Sequence, residues 1–321
     1  MIRKDRFLVA STQNITHVLT LNDEDGVSLL SDTSSFSSSR TLCVSNMKKR
    51  REKEYVDSGL VVQVTEHEVV VLDYDESLES YAEVSKWRPT AHARIVAASI
   101  SASQVALALT GGVVAVGNLK EQTDEFMITR QVSQLLDACE LDLPSLREKA
   151  VFPESGISAI SCTPLDPSKN FSTLIAVSSW TTNTVEVLHL SKQSGEIETL
   201  CRTAPLPALP RSLLLYNFGR GHTRAANDHM PHLLIGLADG NLVTYSFEDR
   251  KTLRDRRVTS LGTTPVTLVA TELEDRPAVC ACGTRASFFF YSQGRIQNSP
   301  ILANVSFSIV MVSPLCAHEP S

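Results

Sequence analysis

The sequence predicts an all-β protein, a β-propeller built from four-stranded antiparallel blades. Two observations support this fold class. Short apolar, β-branched runs of about five to seven residues recur along the chain, and turn residues such as Gly111-Gly112 and Asp239-Gly240-Asn241 bound them. The most apolar of these runs also recur at intervals close to the length of a propeller blade.

The repeat follows from the positions of the very apolar central strands. These are predicted to begin near Phe7, Leu60, Val105, Leu174, Leu233 and Ala278, with spacings of 53, 45, 69, 59 and 45 residues. Two spacings equal the roughly 45 residues of a long blade, and the other three leave room for insertions. Each blade buries both faces against its neighbours, so its central strands are apolar throughout. Six central strands predict about six of seven blades, in one incomplete propeller.

Three segments interrupt the repeat. Residues 30–40 are Ser-rich and predict a turn, and residues 219–232 predict a polar loop between two strands of a later blade. The segment 120–150 has apolar residues near helical spacing, which predicts an insert with one short amphipathic helix. Those apolar residues are Phe126, Val132, Leu135, Leu136 and Cys139.

Composition limits the functional classes. The chain of 321 residues is 42% apolar and 21% charged, with a formal charge of −6. This balance is typical of a folded protein and argues against a dedicated nucleic-acid binder, which needs clustered Lys and Arg. No run approaches the roughly 18 apolar residues of a membrane span, and the N-terminal apolar run at 7–10 is too short for a signal peptide. Seven cysteines, an odd and sparse set, do not predict a disulfide framework. We expect a soluble intracellular protein.

Two groups of residues could bind a metal, and both have a simpler explanation. His222, Asp228, His229 and His232 lie within eleven residues, but no predicted strand or helix fixes their geometry, which favours a solvated loop. Cys280 and Cys282 form a C-x-C in a strand, where alternation places both side chains on one face. Without a second pair nearby, small buried apolar residues are the preferred interpretation.

The remaining motifs favour binding over catalysis. The basic run at 48–51 could be a nuclear localisation or nucleic-acid patch, although a charged β-turn insert is the preferred interpretation. The sequence contains no G-x-S-x-G, no phosphate-binding glycine loop and no H-E-x-x-H. We therefore expect neither an enzyme nor a bound cofactor or metal.

Trp180 is the residue most suggestive of function. It ends the apolar run LIAVSS and opens the turn Trp-Thr-Thr-Asn. A tryptophan among small polar residues in a turn is typical of an anchor at a protein interface. The alternative, a side chain that fills the gap between two blades, is equally compatible with the sequence. The second tryptophan, Trp87, precedes Arg-Pro and is expected to pack beside a blade edge.

Five segments together resemble one known family. They include SKWRP with IVAASISASQVALAL (85–109), ISAISCTPLD (157–166), LIAVSSWTTNTVEVLHL (174–190), LPRSLLL (209–215), and HLLIGLADGNLVTYSF with its continuation to 296. In order and spacing they are similar to the second of three propellers in the damage-specific DNA-binding protein 1 family. That family belongs to a wider group that includes the large subunits of splicing factor 3b and of the cleavage and polyadenylation specificity factor.

The resemblance implies a scaffold that binds proteins. In the damage-binding family the second propeller docks the N-terminal region of a cullin-4 type scaffold, in a ubiquitin ligase used in DNA repair. Trp180 matches an exposed aromatic at that contact, with Thr181 beside it. An acidic contact position of the family falls on Gly156, and the nearest carboxylate is Glu154. The implied protein-binding residues are Trp180, Thr181 and Glu154. The implied location is the nucleus and also the cytoplasm, with nucleic acid contacted only indirectly and no membrane.

The resemblance leaves two branches open. Pro-Arg-Ser at 210–212 and the Asp-Arg-Arg and Leu-Gly-Thr motifs at 255–263 favour the damage-binding branch. Leu-Thr-Gly-Gly at 109–112 is more similar to the splicing branch. The alternative function is therefore a subunit of a splicing or mRNA cleavage and polyadenylation complex. The resemblance predicts one incomplete propeller over 1–305 and an unmatched tail at 306–321, and we expect a fragment of a three-propeller protein.

Overall fold

The structure of the protein is a computed structural model. It describes the backbone of residues 6–12, 15–22, 26–29, 33–51, 54–75, 80–90, 92–101, 103–119, 126–127, 149–152, 156–166, 169, 171–190, 196–219, 229–248, 252–273 and 276–301.

The described residues form six antiparallel sheets that follow one another along the chain. Sheet 1 contains β1 (Arg6–Thr12), β2 (Ile15–Asn22) and β3 (Gly26–Leu29). Sheet 2 contains β4 (Thr41–Arg51), β5 (Glu54–Thr65), β6 (Val69–Asp75) and β7 (Ser80–Trp87). Sheet 3 contains β8 (Ile95–Ser101), β9 (Gln104–Leu109) and β10 (Val113–Leu119), and β10 also pairs with the short strands β11 (Phe126–Met127) and β12 (Lys149–Ala150).

The last three sheets each have four strands in simple chain order. Sheet 4 contains β13 (Ile157–Ser161), β14 (Leu174–Ser179), β15 (Val185–Leu190) and β16 (Ile197–Arg202). Sheet 5 contains β17 (Pro210–Asn217), β18 (Pro231–Leu237), β19 (Asn241–Glu248) and β20 (Thr252–Ser260). Sheet 6 contains β21 (Thr267–Leu273), β22 (Arg276–Cys282), β23 (Ser287–Ser292) and β24 (Arg295–Pro300).

Consecutive sheets pack face to face. The first strands β4, β8, β13, β17 and β21 lie one against the next. A separate apolar cluster fills each gap; between sheets 4 and 5, for example, Val187 of β15 and Leu215 of β17 share one cluster. The arrangement of four-stranded blades packed in series confirms the predicted β-propeller fold.

Burial differs between the inner and the outer strands of a blade. Every residue of β9, β14 and β18 is buried, because these second strands have a neighbouring sheet on both faces. The outer strand β20 (TLRDRRVTS) has no buried residue. Five of the six predicted central strands, from Leu60 onward, are the second strands of their sheets.

The exception is Phe7. It lies in β1, at one end of the strand order of sheet 1, and β2 (ITHVLTLN) is the middle strand among those described. Both runs are apolar, so composition alone did not distinguish them.

One other segment differs from expectation, and the Ser-rich segment, whose described part is a turn, contains a buried aromatic side chain. Within the predicted helical insert, Phe126 pairs with Leu119 as a strand, and the rest of the predicted helix lies outside the described residues. Within the Ser-rich segment, Phe36 is buried against Tyr81, in an edge-to-face contact with the ring centroids 5.3 Å apart. Phe36 therefore contributes to the apolar cluster that fills the gap between sheets 1 and 2.

Buried polar side chains join neighbouring sheets. The Gln63 amide donates to Thr41 Oγ1 at 2.8 Å and to Thr16 Oγ1 at 3.3 Å, which ties sheet 2 to sheet 1. Gln104 Nε2 donates to the Ser172 carbonyl at 3.2 Å, and the Ser172 amide donates to Gln104 Oε1 at 2.8 Å. These paired bonds tie sheet 3 to the segment that leads into β14.

The basic run at 48–51 forms the end of β4, paired with β5 from Lys48↔Asp57 to Arg51↔Glu54. It is thus part of a long hairpin. Trp87, at the end of β7, is 3% exposed and packs in the cluster between sheets 2 and 3. Within the described part of the chain, no helix has the length and apolar character needed to cross a bilayer.

Candidate protein-interaction site

The turn that follows β14 is held rigidly by hydrogen bonds. The Ser179 amide donates to the Thr184 carbonyl at 3.0 Å, and the Thr182 amide donates to Ser179 Oγ at 3.2 Å. Asn183 adopts a positive φ of 50°, which asparagine tolerates well, and its carbonyl accepts from the Leu206 amide at 2.9 Å. A turn fixed in this way loses little conformational entropy when it binds a partner.

Trp180 projects from this turn with 45% of its surface exposed. Its amide donates to the Gly156 carbonyl at 3.2 Å. The Arg211 guanidinium carbon lies 5.5 Å from the centre of the indole ring, within cation–π range. The side chain is therefore supported on one side by the connection into sheet 4 and on another by the start of sheet 5.

Similar turns continue across the neighbouring sheets. We define the turn rim as Trp180–Thr182, Arg211, the turn 239–241, Thr263–Thr264 and Thr284–Arg285. Gly240, Gly262 and Thr284 lie in close succession, because the Leu261 amide donates to the Gly240 carbonyl and the Thr263 amide donates to Thr284 Oγ1. The rim is thus one continuous edge across sheets 4 to 6.

The turn rim carries positive charge in an acidic chain. Arg211 and Arg285 are exposed, and neither forms an ion pair with a carboxylate among the described residues. Asp239 is the rim's acidic residue, and its carboxylate accepts from the Asn241 amide and side chain. Such a surface favours a partner that presents carboxylates around an apolar contact.

The structure describes two of the three predicted contact residues. Trp180 and Thr181 are both exposed in the turn, whereas Glu154 lies outside the described residues. Gly156 has a positive φ of 69°, and a Cβ there would lie 3.5 Å from Trp180 Cδ1. Its backbone conformation, more than a lack of space, therefore favours glycine over glutamate at this position.

Arg211 is the contributor that sequence reasoning missed. It lies in the Pro-Arg-Ser motif, but 31 positions separate it from Trp180 in the chain. The pairing depends on how sheets 4 and 5 dock. A motif could identify Arg211 as unusual, but it could not place the guanidinium over an indole ring.

The predicted metal candidates are only partly described. His222 and Asp228 lie outside the described residues. His232 lies in β18 and is buried rather than solvated; its Nδ1 is 2.9 Å from the Met230 carbonyl, and its ring packs on Phe218. Burial lowers the pKa of His232. No group of three or more His, Cys, Asp or Glu residues is positioned to hold a metal within the described ranges.

The described cysteines are free thiols of two kinds. Burial raises the pKa of Cys43 to about 12 and that of Cys162 and Cys201 to about 11. Cys280 and Cys282 differ, because the hydrogen bond between them lowers the pKa of Cys282 and raises that of Cys280.

Comparison with known proteins defines the family. A family model described as the RSE1/DDB1/CPSF1 second beta-propeller matches residues 2–319. The chain belongs to this family. Two relatives are named DNA damage-binding protein 1, and a third is named DNA damage-binding protein 1b. The protein of Drosophila melanogaster is 25% identical over 79% of this chain, that of Oryza sativa subsp. japonica 26% over 92%, and that of Arabidopsis thaliana 26% over 92%.

The matched region is one part of much longer relatives. The chain covers 19% of the fly protein and 23% of each of the two plant proteins. Family membership confirms the predicted resemblance, and it supports a propeller of scaffold type. The names of the relatives are those of binding proteins.

Proposed function

We propose that this propeller is a protein-interaction scaffold that docks the N-terminal region of a cullin-4 type protein, as an adaptor of a ubiquitin ligase in DNA repair. The observation that carries the proposal is Trp180, a large aromatic side chain that is 45% exposed on a turn fixed by hydrogen bonds. Tryptophans of this kind are enriched among the residues that dominate binding energy. A nuclear location, with a cytoplasmic pool, belongs to the same proposal.

Thr181 and Arg211 complete the proposed contact. Thr181 is exposed next to Trp180 in the turn, and Arg211 supplies a cation 5.5 Å from the centre of the indole ring. In the complex the partner would cover the indole and place a carboxylate near the guanidinium. Glu154 is proposed as a peripheral contact from the segment that precedes β13.

The alternative is a subunit of a splicing or mRNA cleavage and polyadenylation complex. This alternative is supported by the description of the matching family, which names RSE1 and CPSF1 as well as DDB1. The two functions share the fold and differ in the partner.

The test is binding of the purified chain to a cullin-4 N-terminal region, with Trp180→Ala beside it. Loss of a central anchor costs about 2 kcal/mol or more, so the variant should bind at least tenfold more weakly. Val84→Ala is the matched control, because Val84 is 42% exposed on β7 of sheet 2, which contributes no residue to the turn rim. The control should bind as the wild type does.

Two results would contradict the proposal. Equal weakening by Trp180→Ala and Val84→Ala would show that the contact does not centre on Trp180. Absence of binding by a folded chain, with recovery of splicing or polyadenylation proteins instead, would favour the alternative.

A further inference from the structure

The outer strand of sheet 5 is strongly basic, although the chain as a whole is acidic. β20 (TLRDRRVTS) carries Arg254, Arg256 and Arg257 with one aspartate, whereas the formal charge of the chain is −6. All three arginines are exposed, and Val258 beside them is 51% exposed. Arg256 and Arg257 form no ion pair with a carboxylate whose side chain the structure describes. We define the basic edge as residues 254–260.

The exposure of this strand follows from its place in the blade. β20 ends the strand order of sheet 5, and its strand partner among the described residues is β19. Sheets 4 and 6 are both described and lie on either side of sheet 5, yet β20 has no buried residue. Such an edge strand keeps backbone N–H and C=O groups with which a further strand can pair.

A β-bulge sets the arrangement of charge along the strand. The register with β19 shifts by one residue at Asp255 and Arg256. Asp255 adopts a positive φ of 50°, and its Oδ2 accepts from Ser246 Oγ at 2.9 Å. The one acidic residue of β20 is therefore bound by a hydroxyl of its own sheet. From Arg257 to Ser260 the pairing with β19 is regular, so the outer edge of this stretch is regular too.

These features select among the possible occupants of the basic edge. A second copy of this chain would place arginine against arginine across the edge, which is unfavourable. A nucleic-acid backbone would match the arginines but would leave Val258 without an apolar contact. An extended acidic protein segment matches all three features, because its carboxylates face the arginines, its backbone pairs with the edge and an apolar side chain covers Val258.

We propose that the basic edge docks an extended acidic segment of a protein partner as an added strand of sheet 5. The segment pairs its backbone with residues 257–260 and places its carboxylates at the three arginines. The basic edge is continuous with the turn rim, because Ser260 pairs with Asn241 of that rim. The docking does not depend on which partner binds the turn rim.

The test is fluorescence anisotropy of the purified full-length chain with a labelled peptide of alternating Glu and Val residues, matched to the nine-residue length of β20. We expect saturable binding that weakens with added salt, because salt screens exposed charges. Arg256→Gln/Arg257→Gln should weaken binding about fivefold, since each exposed ion pair contributes a factor of about two to five. A peptide with Pro in place of Val keeps the charge but has fewer backbone donors, so it should bind more weakly.

Matched controls separate the basic edge from other positive surfaces. Arg276→Gln/Arg295→Gln removes the same number of exposed arginines from sheet 6 and should bind the peptide as the wild type does. Trp180→Ala should also retain peptide binding, which distinguishes this site from the proposed cullin contact. Thermal unfolding should confirm that all variants are folded.

Four results would overturn the proposal. A folded wild type that does not bind the Glu-Val peptide would exclude the site, and equal weakening by the two double variants would show a general charge effect. Equal binding of the Pro-containing peptide would exclude pairing as an added strand. Tighter binding of a labelled single-stranded DNA than of the peptide would identify a nucleic-acid site instead.

Discussion

Adjacent glycines in the turn between β9 and β10 should respond very differently to the same substitution. Gly111 and Gly112 both have positive φ, 80° and 70°. A Cβ at Gly111 would meet nothing within 4 Å, whereas a Cβ at Gly112 would lie 2.0 Å from the Phe152 carbonyl oxygen. Alanine at either position has the cost of a left-handed backbone, about 1–2 kcal/mol. Only Gly112→Ala must also move a neighbouring chain segment.

The additional cost can be derived from what that segment does. The Val151 and Phe152 amides both donate to the Gly112 carbonyl, at 2.8 and 3.2 Å. Phe152 is 7% exposed and packs with Ile157 in the cluster between sheets 3 and 4. Weakening two hydrogen bonds, each worth about 1 kcal/mol, and displacing part of a buried aromatic gives about 2–4 kcal/mol beyond the cost at Gly111.

Urea unfolding of Gly111→Ala, Gly112→Ala and the wild type measures this difference by linear extrapolation. We expect Gly112→Ala to unfold at a clearly lower urea concentration than Gly111→Ala. Coincident transitions for the two variants would refute the close packing of Phe152 on this turn, because the backbone strain is common to both.

Two further predictions concern buried polar groups. Burial would raise the pKa of Glu68, but hydrogen bonds from Ser37 and Arg88, with the charges of Lys86 and Arg88, hold it below the usual 4.5. The ionised carboxylate of Glu68 thus stabilises the fold fully above pH 4.5, and this contribution is lost as the pH falls through the folded-state pKa. The difference in unfolding free energy between wild type and Glu68→Gln should therefore narrow in acid. If acid titrations followed by circular dichroism show a difference that does not change with pH, the prediction is wrong. Gln104→Met keeps side-chain volume but leaves the buried Ser172 amide and carbonyl without their partner, which should cost about 2–4 kcal/mol in urea unfolding. Gln297→Met on the outer strand β24 is the control, and an equal loss there would show that the bonds to Ser172 add nothing.

The outer strands show the limit of prediction from composition. The strands β16, β20 and β24 have no buried residue and no continuous apolar run, so no hydrophobic run indicates them. They form because backbone amides and carbonyls of any residue can pair with the third strand of a blade. The inner strands were predictable because burial on both faces demands unbroken apolar sequence.

The candidate site also has some features that the local sequence predicts and others that depend on the tertiary structure. The turn after LIAVSS follows from local sequence. The exposure of Trp180 does not, because a side chain that fills the gap between two blades fits the same sequence equally well. The stacking of Arg211 on Trp180 does not follow from local sequence either, because it joins two sheets across 31 positions. The C-x-C motif likewise indicated a shared face, whereas the separation of 3.5 Å between sulfurs depends on side-chain rotamers within a fixed sheet.

The sequence by itself determined the fold class and the order of the blades, and it singled out one turn tryptophan whose exposure it left open. Each of these depends on local composition and on repeats that a strand or turn imposes on its own residues. Only the tertiary structure decided which side chains meet between blades, as with Phe36 on Tyr81 and Phe152 on Gly112. Such contacts depend on how whole sheets dock, and the docking geometry arises from many packed side chains together.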